Sequence, residues 1–240
     1  MENNIRVIYQ DKNFLAVYKP ADLLVHKTVD SSEPTLVDWL LKKYPEIKNV
    51  GDAPEIRPGI VHRLDKDTSG VVLIARNQQY FEYLKNLFGS GGIRKNYLAL
   101  VYGKVEPKTG IIEKPIYLKP GTTKRSVWQG KMKKEAITEY EVIKSFKRQE
   151  TRDKDEFFTL LKVSPKTGRT HQIRVHLASI GHPVVGDTLY GKKADPFNLK
   201  RLFLHAESLE FNQSNGKKIK IESELPDELK NLLKKIVNRK

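Results

Sequence analysis

The stretch HRLDKDTSGVVLIA, residues 62–75, joins a polar segment to an apolar one and draws attention to one carboxylate, Asp65. Its last five residues are apolar without interruption, which is typical of a buried strand. The charged part before them ends in glycine, so we expect a turn at the mouth of a core strand. Two interpretations of Asp65 stay open at this point. It forms a surface ion pair with Arg63 or Lys66, worth about 0–1 kcal/mol, or it is a functional carboxylate.

The bulk composition indicates one large domain with an anionic partner. The chain has 240 residues and shows no linker-like stretch or repeat, so we expect a single domain over residues 1–240. Its net charge of +15 favours a polyanion, because lysine and arginine neutralise phosphates, although solubility alone would also explain it. The absence of cysteine excludes disulfides, thiolate catalysis and cysteine metal sites.

The densest basic segment is residues 119–134, which contains no acid and has Trp128 near its middle. Cations that track a backbone, together with an aromatic surface for stacking, are typical of nucleic-acid grooves. A solvated basic hairpin is the alternative. The basic residues of the segment are Lys119, Lys124, Arg125, Lys131, Lys133 and Lys134.

Several functional classes lack support in the sequence. Six histidines are present, but none forms an HxxxH or HExxH pattern, so we predict no metal site. No phosphate-binding glycine loop occurs, and we expect no cofactor. No apolar run approaches the roughly 18 residues of a membrane helix, and the start has no leader-like core. We therefore expect a cytoplasmic protein that does not enter membranes.

Hydrophobic periodicity predicts an α+β fold around a mixed, mostly antiparallel central sheet with flanking helices. A hairpin is expected at residues 5–18, and helices at 34–44, from about 81 to a stop at Gly89, at 171–180 and at 226–237. Further strands are expected at 71–75, 94–103, 111–117, 136–143, 157–163, 203–211 and 218–221.

Two of these elements carry polar residues of interest. Alternation along the strand 94–103 puts Tyr97 on the face of two small apolar residues, where a tyrosine is usually part of the core. The helix 171–180 has Thr170 as its predicted N-cap, and His171 and Arg174 share one of its faces. A buried arginine needs an anionic partner.

A lone carboxylate, a tyrosine and an arginine in a basic chain without a cofactor suit sugar chemistry on a nucleotide. A glycosidase that uses two carboxylates is less consistent with so basic a chain.

Five motifs follow one another along the chain: VYKPADLLVH (17–26), PGIVHRLDKDTSG (58–70), RKNYLALVYG (94–103), TGRTHQIRVHLASIGHPVVGD (167–187) and RLFLHA (201–206). In order and spacing they resemble the motifs of the RluA-type RNA pseudouridine synthases. The resemblance covers nearly the whole chain, and it points to the catalytic domain alone, without an S4 RNA-binding domain.

The resemblance implies the pseudouridine synthase catalytic fold and cofactor-free isomerisation of uridine to pseudouridine in RNA. Asp65 matches the catalytic aspartate, which acts on the ribose as a nucleophile or as a base at C2′. Tyr97 matches the tyrosine that stacks on the target base, and Arg174 matches the arginine that salt-bridges the aspartate. Asp22 stands where the family often has glycine, and since aspartate tolerates a left-handed backbone, the turn can persist.

We expect the substrate to be a flipped uridine in structured rRNA or tRNA, and the protein to act as a monomer. Two other functions stay open: a catalytically silent RNA-binding or assembly factor, and a nucleoside-bond hydrolase that uses Asp65 and Asp67. The residues predicted to contact RNA are Arg63, Lys124, Arg125, Trp128, Lys131, Lys133, Lys134, Arg169 and His171.

Overall fold

The computed structural model describes residues 4–28, 32–122, 124–151, 154–191 and 196–238. The chain forms two compact units, each of which is discontinuous in sequence. The first unit contains residues 1–95 and 206–224, and the second contains residues 96–205 and 225–240. The single domain expected over residues 1–240 stays a prediction.

The first unit is a sheet with two helices and a short 3-10 helix. Strands β1 to β3 form an antiparallel meander, and β11 pairs with β12; β11 belongs to this unit from Ala206 onward. The elements are β1 (Arg6–Gln10), β2 (Phe14–Lys19), α1 (Leu36–Lys43), the 3-10 helix (Pro45–Asn49), β3 (Ser69–Ala75), α2 (Gln78–Ser90), β11 (Leu204–Asn212) and β12 (Lys218–Glu222).

Strand β3 lies at the centre of this unit's packing, because all seven of its residues are buried. The ring of Phe14 on β2 stacks on Tyr80 of α2 at 5.4 Å and meets Phe211 edge-on at 5.7 Å. The predicted hairpin, buried strand and two helices are therefore confirmed here, and the aromatic contacts join elements that are far apart in sequence.

The end of α2 differs from the prediction. Gly89 lies inside the helix, which continues to Ser90, and Gly91 is the C-terminal cap with a φ of 78°. A left-handed C-cap favours glycine, which has no Cβ atom, and of the two glycines it is Gly91 that adopts this conformation.

The second unit has a four-stranded antiparallel sheet in the order β4-β10-β9-β5, a separate three-stranded sheet in the order β7-β6-β8, and two helices. We call the three-stranded sheet the small basic sheet. The elements are β4 (Arg94–Tyr102), β5 (Thr109–Glu113), β6 (Ile116–Leu118), β7 (Arg125–Ser126), β8 (Lys131–Lys134), β9 (Ile137–Thr151), β10 (Lys154–Pro165), α3 (Gln172–Ser179) and α4 (Asp227–Asn238).

The core of the second unit lies between its sheet and the two helices. Leu177 of α3 and Leu229 of α4 are fully buried there, together with Leu161 of β10. The predicted strand 111–117 is instead two strands, since the chain passes from one sheet to the other at residues 114–115. The α+β class with mostly antiparallel strands is confirmed.

Candidate active site

The loop that carries Asp65 is a tight turn that leads directly into β3. The carbonyl oxygen of Asp65 accepts the main-chain N–H of Thr68 at 3.1 Å, and the Asp65 side chain is half-buried. Gly70 then has a φ of 130°, and a Cβ atom at this position would collide with the carbonyl oxygen of Ala206. The close approach of these two strands therefore requires glycine at this position.

The buried Lys19 anchors this loop by hydrogen bonds to main-chain carbonyl oxygens. The Nζ atom of Lys19 donates to the carbonyl oxygens of Pro20, Leu23 and Lys66 at 2.8, 2.7 and 3.0 Å. Because an ammonium group has three donors, these bonds saturate it, and one of them ties the residue next to Asp65 to the end of β2. Sequence reasoning missed this role, although a lysine at the end of an otherwise apolar strand was a visible signal.

His62 supports the other side of the same loop. Its Nε2 atom accepts the main-chain N–H of Leu73 at 2.9 Å, and its ring stacks on Phe88 at 4.5 Å. Burial, with a smaller contribution from the charge of Lys95, lowers the pKa of His62 to about 3. A neutral imidazole is required for this acceptor role, so His62 is part of the structure that holds the loop.

Arg63 points away from this support and is exposed. Its Nη1 atom lies 3.4 Å from Nε2 of His26, whose pKa is lowered by burial and by the charges of Arg63 and Arg57. Because a neutral His26 carries no charge, it can accept a hydrogen bond from Arg63 and does not compete with Arg63 for an anion. This position is compatible with the predicted contact to RNA.

Lys66, in the same loop, forms surface ion pairs. Its Nζ atom lies 2.7 Å from Glu33 and 3.5 Å from Asp22, and the first of these contacts is the main cause of its raised pKa. Asp22 has a φ of 59°, so the left-handed turn expected at this departure from the family pattern is confirmed.

Tyr97 and Arg174 belong to the second unit, whereas Asp65 belongs to the first. Tyr97 lies on β4 opposite Val163 of β10 and is half-buried. Ala99 and Val101, on the same face of the strand, are fully buried. The predicted face is confirmed, and Tyr97 is its least buried residue.

Arg174 has a carboxylate partner within its own unit that the sequence did not reveal. Its Nε and Nη2 atoms donate to Oδ2 and Oδ1 of Asp187 at 2.7 and 2.8 Å, with side-chain exposures of 6% and 0%. The main-chain N–H groups of Leu189 and Tyr190 also donate to Oδ1 of Asp187. A bidentate pair of this kind fixes the plane of the guanidinium group.

The start of α3 differs from the predicted cap. The N-cap is His171, with a φ of 57°, and not Thr170. The side chain of Gln172, the first residue of the helix, holds the preceding turn: its Oε1 atom accepts from Thr167 and from the main chain of Arg169, and its Nε2 atom donates to Ile137 and Thr138. These four bonds tie the turn before α3 to β9, which defines where the helix begins.

His171 and Arg174 face the same neighbour, as their spacing predicted. The Nδ1 atom of His171 lies 2.9 Å from the hydroxyl of Tyr190, and the guanidinium of Arg174 lies 5.2 Å from the centre of the Tyr190 ring. Arg169 is exposed and donates from Nε to the carbonyl oxygen of Glu135.

The small basic sheet presents most of the predicted RNA contacts to solvent. The Trp128 side chain is 77% exposed, and Nζ of Lys114 lies 5.3 Å from its ring centre. Lys133 is paired with Glu135 at 3.0 Å, which offsets part of its charge. Arg125 is half-buried, and its buried Nε atom has no hydrogen-bond partner among the described residues. The exposed cations of the set are Lys124, Lys131, Lys133 and Lys134.

The described part of the chain holds no sign of a metal site or a membrane span. It contains no group of three or more histidine, aspartate or glutamate side chains that could hold a metal ion. None of the helices in these residue ranges is long and apolar enough to cross a membrane.

The comparisons with known proteins agree with the motifs. Residues 13–179 match the family described as RNA pseudouridylate synthase. An uncharacterized RNA pseudouridine synthase of Aquifex aeolicus (strain VF5) is 43% identical over 203 residues, which is 85% of this chain and 61% of that protein. The ribosomal large subunit pseudouridine synthase D of Nitrosomonas europaea is 38% identical over 243 residues, covering 98% of this chain and 66% of that protein.

The chain thus spans somewhat less than two thirds of the length of these relatives. Among solved structures, human RNA pseudouridylate synthase domain containing 1 has a TM-score of 0.74 and 25% identity, over 99% of this chain and 96% of that one. The residues matched by the family include Asp65, Tyr97 and Arg174. The chain belongs to the RNA pseudouridylate synthase family.

Proposed function

We propose that this protein is an RNA pseudouridine synthase that isomerises uridine with Asp65 as its catalytic carboxylate. The observation that carries the proposal is the family match over residues 13–179, a range that includes Asp65, Tyr97 and Arg174. In the reaction the N1–C1′ bond breaks, the uracil turns over, C5 bonds to C1′, and the C5 proton is lost while N1 gains one. The product has the same composition as the substrate, so no cofactor is required.

Asp65 reacts at the ribose, either at C1′ as a nucleophile or at C2′ as a base. The carboxylate has to be ionised for both roles, and a nearby arginine favours the charged form. Following the resemblance, we assign that role to Arg174. The bidentate bond to Asp187 supports the assignment, because it fixes the orientation of a buried guanidinium group before any substrate binds.

Tyr97 supplies the aromatic surface for the flipped base. Removing a base from its stack costs a few kcal/mol, which stacking on a tyrosine partly offsets. Its half-buried position on β4, above fully buried neighbours, supports a rigid platform with one accessible part. We assign Arg63, which is exposed, to the place that the flipped uridine leaves.

The RNA backbone is bound by the small basic sheet in this proposal. Exposed lysines and the exposed indole of Trp128 combine charge with a stacking surface on one small element. Arg169 and His171 extend the same set on the adjoining turn.

We propose large-subunit rRNA as the first substrate to test, with tRNA as the second. Relatives from Nitrosomonas europaea and Borreliella burgdorferi, 38% and 35% identical to this chain, are described as ribosomal large subunit pseudouridine synthase D. A cytoplasmic monomer is compatible with either RNA.

The proposal is tested by single-turnover assays on transcribed RNA that contains uridine tritiated at C5. A synthase releases tritium and leaves pseudouridine in the chain, whereas a hydrolase releases free uracil. Asp65→Asn should abolish tritium release and still bind RNA, and the matched control Asp67→Asn should keep turnover. Uracil release by the wild type would establish the hydrolase instead, and RNA binding without any turnover would establish the silent binding factor.

A further inference from the structure

One tyrosine of the second unit contacts three parts of the predicted RNA site, and neither the motifs nor the family's matched residues assign it a role. Tyr190 follows the turn that contains Asp187 and is half-buried. Its ring lies under the Arg174 guanidinium at 5.2 Å. Its hydroxyl accepts the main-chain N–H of Arg125 at 2.9 Å and lies 2.9 Å from Nδ1 of His171.

The ring of Tyr190 acts on Arg174 from the face, while Asp187 acts from the edge. The carboxylate fixes the guanidinium in its own plane, and an aromatic face attracts the cation perpendicular to that plane. The main-chain N–H of Tyr190 also donates to Asp187 at 3.1 Å. The same turn therefore restrains the arginine in two directions.

The hydroxyl of Tyr190 acts on the small basic sheet. The Arg125 main chain belongs to β7, and its N–H has Tyr190 as acceptor. The sheet also rests on α3 through a small apolar cluster against which the Tyr190 ring packs. The members of that cluster are Ile116, Val127, Ala136 and Val175. So few apolar side chains attach the sheet only weakly. The hydrogen bond from the Arg125 N–H to the Tyr190 hydroxyl therefore determines how the sheet is oriented on α3.

The hydroxyl also stabilises an unfavourable backbone conformation. His171 has a φ of 57°, which is strained for a residue with a Cβ atom, and it occupies the N-cap without a side-chain cap bond. The hydrogen bond between Nδ1 of His171 and the Tyr190 hydroxyl holds the residue in this conformation, whether the imidazole or the hydroxyl is the donor. The first residue before α3 is thus linked to the edge of the small basic sheet through one oxygen atom.

We propose that Tyr190 is a positioning residue: its ring orients Arg174, and its hydroxyl holds the small basic sheet in register with α3. The functional part of this inference rests on the proposed synthase activity, but the structural part does not. RNA bound by the sheet then reaches Arg174 at a fixed distance along this unit.

Two variants separate the two roles. Tyr190→Phe removes only the hydroxyl and keeps a ring under Arg174, while Tyr190→Met removes both and keeps a flexible apolar side chain that can fill the space. Tyr83→Phe is the matched control, since it also removes a tyrosine hydroxyl, in this case one that donates to the carbonyl oxygen of Asn212 in the first unit. Thermal unfolding confirms that each variant is folded.

The first measurement needs no activity. In a Trp39→Phe background, Trp128 is the remaining tryptophan and reports on the small basic sheet by time-resolved fluorescence anisotropy. Tyr190→Phe should increase the fast local motion of Trp128, and Tyr83→Phe should leave it unchanged. Unchanged anisotropy in Tyr190→Phe overturns the anchoring role.

The second measurement is a split between KM and kcat on RNA. In Tyr190→Phe the small basic sheet loses the hydrogen bond from the Arg125 N–H to the hydroxyl, which should raise KM about 2- to 10-fold. Additional loss of the ring should lower kcat about 2- to 30-fold in Tyr190→Met relative to Tyr190→Phe. Equal kcat for these two overturns the orienting role. If the wild type forms no pseudouridine, the proposed function fails, and the Trp128 result still tests the anchor.

Discussion

Removing the charge of Asp187 is expected to destabilise the second unit far more than an ordinary ion-pair mutation would. In Asp187→Asn the buried guanidinium of Arg174 loses its bidentate counter-ion, and the amide group places an NH2 donor where one of the two acceptor oxygens stood. Breaking a buried pair by removing one partner costs about 3–5 kcal/mol, because an uncompensated charge is left behind. Exposures of 6% and 0% put this pair in that class.

The measurement is the free energy of unfolding from urea titrations followed by circular dichroism. Asp52→Asn is the matched control: Asp52 pairs with Arg57 at a similar distance, 2.8 Å, but with 41% of Arg57 and 35% of Asp52 exposed. A surface pair of this kind contributes about 0–1 kcal/mol. If Asp187→Asn lost no more stability than Asp52→Asn, the structural account of Arg174 would be refuted.

A double replacement then separates stability from activity. Arg174→Met with Asp187→Asn removes the uncompensated charge and keeps an acceptor oxygen for the main-chain N–H groups of Leu189 and Tyr190. We expect this double variant to regain much of the stability lost in Asp187→Asn and to form no pseudouridine. Recovered activity in the double variant would mean that Arg174 serves the fold alone.

Three further outcomes are expected. Lys19→Met should lower kcat at least 10-fold with little change in RNA affinity, because the loop of Asp65 loses the hydrogen bond from Lys19 to the carbonyl oxygen of Lys66, which anchors it to the end of β2; a variant with normal kcat would show that the anchor is dispensable. The pKa of His62 is about 3 when folded and 6.5 when unfolded, so the unfolded state binds the extra proton and stability falls as pH drops below 6.5. Between pH 7 and 5 this contributes about 2 kcal/mol, and urea titrations of His62→Gln should show a loss smaller by that amount; an equal loss in variant and wild type would contradict it. Replacing the three lysines of β8 (Lys131–Lys134) with glutamine should weaken binding to all RNA sequences and lower the slope of log Kd against log salt by roughly 0.7–0.9 for each phosphate that the sheet no longer neutralises. An unchanged slope would return this sheet to the solvated-surface interpretation.

The local elements were predictable because their signals are local. Uninterrupted apolar residues predict β3, alternation gives the exposed and buried faces of β4, and the capping residue Thr35 begins α1 near its predicted position. The left-handed backbone at Asp22 was also predictable, because aspartate tolerates this conformation.

The contacts that support the candidate site were not predictable in the same way. Asp187 lies 13 residues from Arg174, and nothing in the spacing selects it among the acids of the chain. Lys19 reaches the carbonyl oxygen of Lys66 across 47 residues. Such pairs depend on the chain topology, whereas sequence reasoning reads only neighbours along an element. The prediction of Thr170 as the N-cap of α3 was wrong for a related reason. The start of the helix depends on long-range hydrogen bonds from Gln172 to β9, and not on a local capping bond.

The central claim is that Asp65 performs chemistry on a uridine of RNA. The most direct measurement is single-turnover pseudouridine formation on large-subunit rRNA by the wild type, Asp65→Asn and Asp67→Asn, with RNA affinity measured in parallel. Asp65→Asn is expected to bind RNA with near-normal affinity and to form no pseudouridine, while Asp67→Asn is expected to turn over. Near-normal turnover by Asp65→Asn would show that Asp65 is not the catalytic carboxylate.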